Sequence, residues 1–521
     1  MKTNDRSRSL ILSLLCISSL ASAFPHLVYN FPNHTSSIAW GKCEEDGSGA
    51  IPDSIECGVL MVPLDHFDPT CSTSIKIGMS RLRANDTSKR QGAFFFNNGG
   101  PGQPSSPSLV TQAQKESRGA PDILFGKELR DAFDIIGVDM RGEGRSESLT
   151  CDANLLNAME GPIITSDEIY EQAVAQSKAL GESCARMSGP LFYHMGTNQA
   201  LRDLDMVRQA LGEEKLNYLG WSYGTQLGSE YAETFPHRVG RMVLDGVFDR
   251  AKSDETLLLT GASGYESTLN RFFEWCNETS SCALHGRDAP AIFDQLVAST
   301  PLSVPECEGK ACKTSISRDD FIYSVLVGPA GLHDGDPKPP APPTGGWFNL
   351  AEALSAAYAG NATAFTGGFE TSNTTSTTTT GASFINIFCA DRPRKSLSAA
   401  DFRSVFIVAK ALAPRTLGAS VGQKGRTFCL GWPTTPEDPP HILNQEATKM
   451  LPPIMMVSNL WDEATVTEWA LDMRAQMPTA FNVFRNGGGH TSYRFHGETS
   501  DAIVSFLVNG TIPKDGTIYE T

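Results

Sequence analysis

Short apolar runs rich in β-branched and aromatic residues recur along the chain. They lie at Cys57–Val62, Ser74–Ser80, Ala93–Phe96, Ile135–Val138, Leu216–Leu219, Met242–Leu244, Ile454–Val457 and Phe481–Phe484. Runs of this kind, bounded by turn residues, predict strands buried on both faces. Between them the apolar spacing becomes helical, as in Ala200–Leu211 and in the stretch from Tyr223 to Glu233. Strands alternating with helices predict an α/β fold, with a mostly parallel, eight-stranded sheet and helices on both faces.

The alternation stops between Val247 and about Pro452. This stretch holds the close-spaced Cys276, Cys282, Cys307 and Cys312, a Pro-rich segment from Pro337 to Pro343, and a Thr-rich run from Thr371 to Thr380. A Pro-rich segment stays extended, and a Thr-rich run buries too little apolar surface to fold. Strand-like runs resume at Ile454 and need a sheet to join. Residues 250–440 are therefore expected to be an inserted cap over the carboxyl edge of the sheet, where ligands bind in open α/β sheets. The low-complexity loop falls at 371–380 within it. Residues 24–249 and 441–521 are expected to form the core, and no internal repeat is visible.

Lys2, Arg6 and Arg8 precede an apolar run from Leu10 to Leu20, and the small-residue triplet Ala21-Ser22-Ala23 follows. This layout predicts a secretory signal, residues 1–23, removed after Ala23, and a secreted, extracellular protein. Six N-x-S/T sequons agree with secretion and are candidate glycosylation sites: Asn33, Asn85, Asn277, Asn361, Asn373 and Asn509. Twelve cysteines fit an oxidising compartment. With Cys16 lost in the signal, spacing suggests Cys276–Cys282, Cys307–Cys312 and Cys151–Cys184. Cys43–Cys57 and Cys389–Cys429 are further pairings, leaving Cys71 unpaired. The formal net charge of −16 argues against nucleic acid or an anionic membrane as partner. It suits solubility in an acidic medium.

One pentapeptide carries candidate chemistry. Gly220-Trp221-Ser222-Tyr223-Gly224 matches G-x-S-x-G, the tight strand-to-helix turn that lifts a serine hydroxyl above a sheet. The predicted strand Leu216–Leu219 precedes it and a helical pattern follows, as that turn requires. A serine hydroxyl needs a general base, and the base needs an orienting acid. On such a fold they follow in the order serine, acid, histidine. Asp462 and Glu463 come after the Ile454–Val457 run, and Asp245 after Met242–Leu244. Asp462 leads as acid, Glu463 is second, and Asp245 reads more simply as a loop-capping carboxylate. His490 follows Phe481–Phe484 on a glycine-rich turn and leads as base, with His496 the fallback. Two backbone N–H groups should receive the oxyanion, one of them from Tyr223. The other is expected from Asn97-Asn98-Gly99-Gly100-Pro101-Gly102, the loop after the third candidate strand.

Several motifs together resemble the proline iminopeptidase and tripeptidyl aminopeptidase group of α/β-hydrolases. They are Asn98–Gly102, Asp139-Met140-Arg141-Gly142-Glu143-Gly144-Arg145-Ser146 and Gly220–Thr225. The segment from Asp203-Leu204 to Leu211-Gly212, Cys389-Ala390-Asp391 and Cys429-Leu430-Gly431-Trp432-Pro433 are similar to the tripeptidyl branch, whose C-terminal region would cover about 385–506. The resemblance spans roughly Cys43 to Phe506. It implies Ser222 as nucleophile, Asp462 as acid, His490 as base, and the Gly99–Gly100 loop as part of the oxyanion hole. The acid loop differs from the family pattern, reading Trp461-Asp462-Glu463-Ala464-Thr465-Val466 where the family has Asp-Pro and then Thr-Pro. In the family, acidic cap groups receive the substrate's amino terminus. No motif identifies them here, although Glu266, Glu274 and Asp320 lie in the cap.

No H-E-x-x-H or clustered metal spacing occurs, and Gly142-x-Gly144 lacks the rest of a dinucleotide pattern. No cofactor or metal is expected. Asp139 and Arg141 read as braces for loops near the site. The expected activity is that of a secreted serine exopeptidase that releases short peptides or single residues from free N-termini through an acyl-enzyme. Two alternatives are an esterase or amidase acting on a small molecule, and a non-catalytic secreted binding protein.

Overall fold

The computed structural model describes residues 37–44, 50–120, 123–159, 161, 163–305, 314–327, 332, 346–366, 380–392, 398–434, 436 and 439–521. Ten strands form one sheet: β1 (Ala39–Lys42), β2 (Ile55–Pro63), β3 (Ser74–Leu82), β4 (Ala93–Asn97), β5 (Asp134–Val138), β6 (Leu216–Trp221), β7 (Val239–Asp245), and, numbered after a separate two-stranded pair of β8 (Leu302–Ser303) and β9 (Ser315–Ile316), β10 (Ile454–Trp461), β11 (Ala480–Gly488) and β12 (Thr517–Tyr519). Their spatial order is β1-β2-β3-β5-β4-β6-β7-β10-β11-β12. Pairing is antiparallel from β1 to β5 and parallel from β5 to β12. All eight strands expected from the sequence are present. The sheet is wider than expected because β1 and β12 add its two edges. Both are short and largely solvent-facing, so they carry no apolar run.

The strand pattern sorts side chains onto two faces. Phe95, Tyr218, Leu244 and Met456 enter one apolar cluster, with Leu204 and Val207 of the helix Thr197–Ala210 and Leu227 of the helix Tyr223–Thr234. Phe94, Phe96, Val243 and Val457 enter the other, with Leu109 of the helix Ser106–Ser117 and Phe506 of the helix Glu498–Asn509. Side chains alternate across a strand, so runs that are apolar at every position are covered on both faces. Burying each such large side chain stabilises the fold by about 1.5–3 kcal/mol.

The stretch 250–440, expected as a cap, packs in two ways. Tyr265, Leu269, Phe272, Phe293, Phe321 and Leu350 build an apolar cluster of their own. Ile385, Cys389, Phe428 and Trp432 instead join the first face of the sheet. Part of the 250–440 stretch is thus packed as core.

Cys43–Cys57, Cys151–Cys184, Cys276–Cys282 and Cys389–Cys429 are disulfides. Cys71 corrects the expectation of a free thiol: it is disulfide-bonded, to a partner outside the described residues. The expected odd thiol follows from subtracting Cys16 from an even set of twelve. The expected Cys307–Cys312 pairing and 1–23 signal, the Pro-rich segment, Asn33, Asn373 and the Thr-rich run before Thr380 also lie outside the described residues. Asn85, Asn277 and Asn509 are exposed and Asn361 is half-buried. Among the described residues, no helix is long and apolar enough to cross a membrane.

Candidate active site

β6 ends at Trp221, and the helix Tyr223–Thr234 starts directly after Ser222. Ser222 has φ 56° and ψ −119°, a conformation that costs a non-glycine residue on the order of 1–3 kcal/mol. Its surroundings hold it there. Ser222 N–H donates to the Asp245 carbonyl (2.9 Å), and the Thr225 hydroxyl donates to the Ser222 carbonyl (2.6 Å). The flanking glycines are steric requirements. A Cβ at Gly224 would meet Asn97 Oδ1 at 2.7 Å, and one at Gly220 would strike the Gly224 carbonyl. The serine hydroxyl makes no capping hydrogen bond to the helix and is half-buried, which leaves it available for chemistry.

The acid and the base come from neighbouring parallel strands. β10 pairs with β11 in a register that sets Trp461 opposite Gly488. Asp462 and His490 follow those residues and meet beyond the sheet edge. His490 Nδ1 lies 3.0 Å from both Asp462 oxygens and 3.3 Å from Thr465 Oγ1. Asp462 Oδ1 also accepts from the N–H groups of Ala464 (2.9 Å) and Thr465 (2.8 Å), and Oδ2 accepts from the Thr465 hydroxyl (2.9 Å). Burial disfavours a charge on Asp462, but the His490 ring and these donors outweigh it and hold the carboxyl below its ordinary range. An ionised carboxylate can only accept, so Nδ1 carries the ring proton. Every hydrogen bond to the ring is made at Nδ1, so Nε2 keeps its lone pair and has no partner among the described residues. The ring packs on Gly246, next in sequence to the residue that anchors Ser222. No hydrogen bond joins Ser222 to His490 here; such contacts are commonly looser in unliganded enzymes.

The other candidates fall elsewhere. The Asp245 carboxylate accepts from the N–H groups of Ser492 (2.8 and 3.0 Å) and Tyr493 (2.9 Å), so it caps the turn after His490. Burial pushes it up to about 6. Glu463 is buried beside Asp462, but the carboxylate on the imidazole is that of Asp462. His496 sits at the far end of the turn Tyr493–Phe495.

On the other side of Ser222, Gly99 (φ +84°) lies against Trp221. Gly99 and Gly100 are both expected as oxyanion donors from the sequence. The Gly99 N–H donates to Asn97 Oδ1 (3.0 Å), so its part is close approach. The N–H groups of Gly100 and Tyr223 make no hydrogen bond among the described residues. Tyr223 is the first residue of its helix, so its N–H is one of the unsatisfied donors at the positive end of the helix dipole.

Sequence reasoning missed several supporting residues. Tyr223 OH contacts Thr197 Oγ1 (2.5 Å), which donates to Asp391 Oδ2 (2.5 Å). Asn459 Nδ2 donates to the carbonyls of Gly489 and Thr491 and shapes the histidine turn. Neither Asn459 nor Thr197 sits in a recognisable motif. Arg141 pairs with Asp203 (2.7 and 2.8 Å), both fully buried, and Asp139 accepts from Ser106 and Arg145 N–H groups, so both brace loops. Of the three acids named from the expected cap, Glu266 is spent on the N–H groups of Arg415 (3.2 Å) and Thr416 (3.0 Å). Glu274 is exposed and paired with Arg271, and Asp320 lies in the first turn of the helix Arg318–Val327.

Two family models match the chain. The α/β hydrolase fold matches residues 92–303, and the TAP-like protein family matches residues 415–518. The chain has the α/β-hydrolase fold, with a TAP-like region towards its C-terminal end. It is 26% identical over 515 residues to serine protease Hip1 of Mycobacterium tuberculosis, covering 93% of this chain and 91% of that protein. It is 36% identical over 221 residues to tripeptidyl aminopeptidase of Streptomyces coelicolor, covering 42% of this chain and 39% of that one. It is also 28% identical over 506 residues to carboxylesterase B of Mycobacterium tuberculosis, covering 91% and 88%.

Proposed function

We propose that the protein is a secreted serine exopeptidase that releases short peptides or single residues from the free N-terminus of a peptide. The observation that carries this reading is the Asp462–His490 hydrogen bond beside a serine held on a strained elbow. In this mechanism His490 Nε2 takes the proton of Ser222 Oγ as the oxygen attacks the acyl carbon. The N–H groups of Gly100 and Tyr223 receive the oxyanion. His490 then protonates the leaving amine, and water releases the acyl group from Ser222 by the same relay. Asp462 holds the imidazole and stabilises its charged form.

The inserted helices support access for chain ends. Gly264 of the helix Asp254–Glu278 packs against Val466 of the acid loop, and Trp347 of the helix Gly346–Tyr358 packs against Gly488, two residues before His490. A roof so placed admits a terminus more readily than the middle of a long chain. The signal-like N-terminus and the four disulfides between described residues support secretion.

The likeness to carboxylesterase B favours a second reading, in which the same residues hydrolyse a small ester or amide. One panel separates the two: aminoacyl, dipeptidyl and tripeptidyl amides, each with a free or blocked amino terminus, and simple esters, with Ser222→Ala as control. Turnover of free but not blocked amides is the expected result. Turnover of esters alone supports the second reading, and turnover by neither chain on any substrate leaves a binding protein.

A further inference from the structure

We propose that Glu143 is a positioning residue of the reaction, whose carboxyl fixes the oxyanion loop against the serine elbow. The inference rests on the serine-hydrolase reading above. Glu143 is 4% exposed, and its Oε1 accepts from the Gly102 N–H at 2.8 Å. Gly102 closes the loop that begins at Asn97 and passes through Gly99, which lies on Trp221. The loop carrying Glu143 is itself rigid. Asp139 accepts from Ser106 N–H (2.7 Å) and Arg145 N–H (2.9 Å), Ser146 N–H donates to the Glu143 carbonyl (2.9 Å), and Gly144 packs on Pro104. Two carboxyl groups of one loop thus pin the oxyanion loop at Gly102 and just beyond it at Ser106. Glu143 holds the end nearer the Gly100 donor.

A buried carboxyl commonly answers a cation, but among the described residues Glu143 forms no ion pair. The groups facing it are Asp139 and the Met140 backbone on its own loop, the Tyr223 side chain on the elbow helix, and the Gly102 N–H on the oxyanion loop. Burial, and then the Asp139 charge, push its carboxyl up to about 8. Tyr223 stays neutral, burial holding its phenol well above its ordinary value. At neutral pH Glu143 is therefore an uncharged acid. Its carbonyl oxygen accepts from Gly102 without placing a negative charge beside the developing oxyanion. Ionisation would add that charge and oppose the transition state, so kcat should fall as the pH rises through about 8.

The test compares Glu143→Leu and Glu143→Gln with the parent from pH 5 to 10, on the peptide amide that the parent cleaves. Circular dichroism and thermal unfolding confirm that each variant is folded. Glu143→Leu should lower kcat by about 10–100-fold with KM nearly unchanged, short of the full loss of an oxyanion donor. Glu143→Gln, which keeps the acceptor and cannot ionise, should recover most of that kcat at pH 7 and lose the alkaline fall. A folded Glu143→Leu with the parent's kcat, a loss confined to KM, or a Glu143→Gln with the parent's alkaline fall would overturn the assignment. Ser222→Ala separates the two levels. If it stays active, the hydrolase reading itself fails; if it is inactive, the two Glu143 variants alone decide the positioning role.

Discussion

Gly99 stands directly against the serine elbow: a Cβ in its place would lie 2.5 Å from the Trp221 carbonyl oxygen and 3.2 Å from Ser222 Cβ. Its φ of +84° adds a second penalty for any side chain, about 1–2 kcal/mol. Gly99→Ala must therefore move the loop away from the nucleophile and carry Gly100 with it. The expected result is a fall in kcat of about 10²–10³-fold, the size of one lost oxyanion donor, with a smaller change in KM. Steady-state kinetics on a free tripeptidyl amide check this.

Asp462 acts through His490. Asp462→Asn places an amide where a carboxylate now fixes the ring proton on Nδ1, and favours the wrong tautomer. A fall in kcat of about 10⁴-fold is expected, with the fold intact. Thr465→Val removes only the hydroxyl that donates to Asp462 Oδ2 at 2.9 Å and should cost far less. Parent-like turnover by Asp462→Asn would remove Asp462 from the mechanism.

Stability should be greatest in mildly acidic solution. Burial raises Asp139 and Asp245 to about 6, and burial with the Asp139 charge raises Glu143 to about 8. A carboxyl whose folded pKa is raised binds its proton more tightly in the native state. Between its unfolded and folded values, stability therefore falls as pH rises. Asp462 has the opposite sign. Its folded pKa is lowered, so its contribution is present above the ordinary value of 3.8 and is lost as pH falls through the folded value. Thermal unfolding should give a higher midpoint near pH 5 than near pH 8. A midpoint that rises steadily from 5 to 8 would contradict the assignment of these buried acids.

Cys389–Cys429 joins residues 40 apart and lies beside Asp391, which holds Thr197 and through it Tyr223. Replacing both cysteines by serine should cost roughly 2–4 kcal/mol of stability, the usual effect of opening a closed loop of this length. It should also lower kcat at temperatures where the protein remains folded. Denaturant unfolding and kinetics on the same sample check both.

The strands were legible because apolar runs buried on both faces leave an unbroken mark in sequence. Ala93–Phe96 is the clearest, with Phe94 and Phe96 on one face and Phe95 on the other. β1 and β12 were invisible because an edge strand of three or four residues buries one side at most. The meeting of Asp462 with His490 was legible from their order after the adjacent strands β10 and β11, since parallel pairing converts that order into proximity. Glu143 was not. A glutamate reads as a surface charge, and only the folded structure buries it and turns it toward Gly102. Glu266 illustrates the reverse: a plausible cap acid in sequence, it is spent on the turn at Arg415 and Thr416.

The central claim is that Ser222, activated by His490, becomes covalently acylated. The most direct measurement is intact-mass and peptide-mass analysis after reaction with a fluorophosphonate, a reagent that phosphonylates activated serines with loss of fluoride. One label per chain on Ser222 is expected, absent in Ser222→Ala and formed far more slowly in His490→Ala. Stoichiometric labelling at another residue, or a Ser222→Ala chain that hydrolyses substrate as fast as the parent, would contradict it.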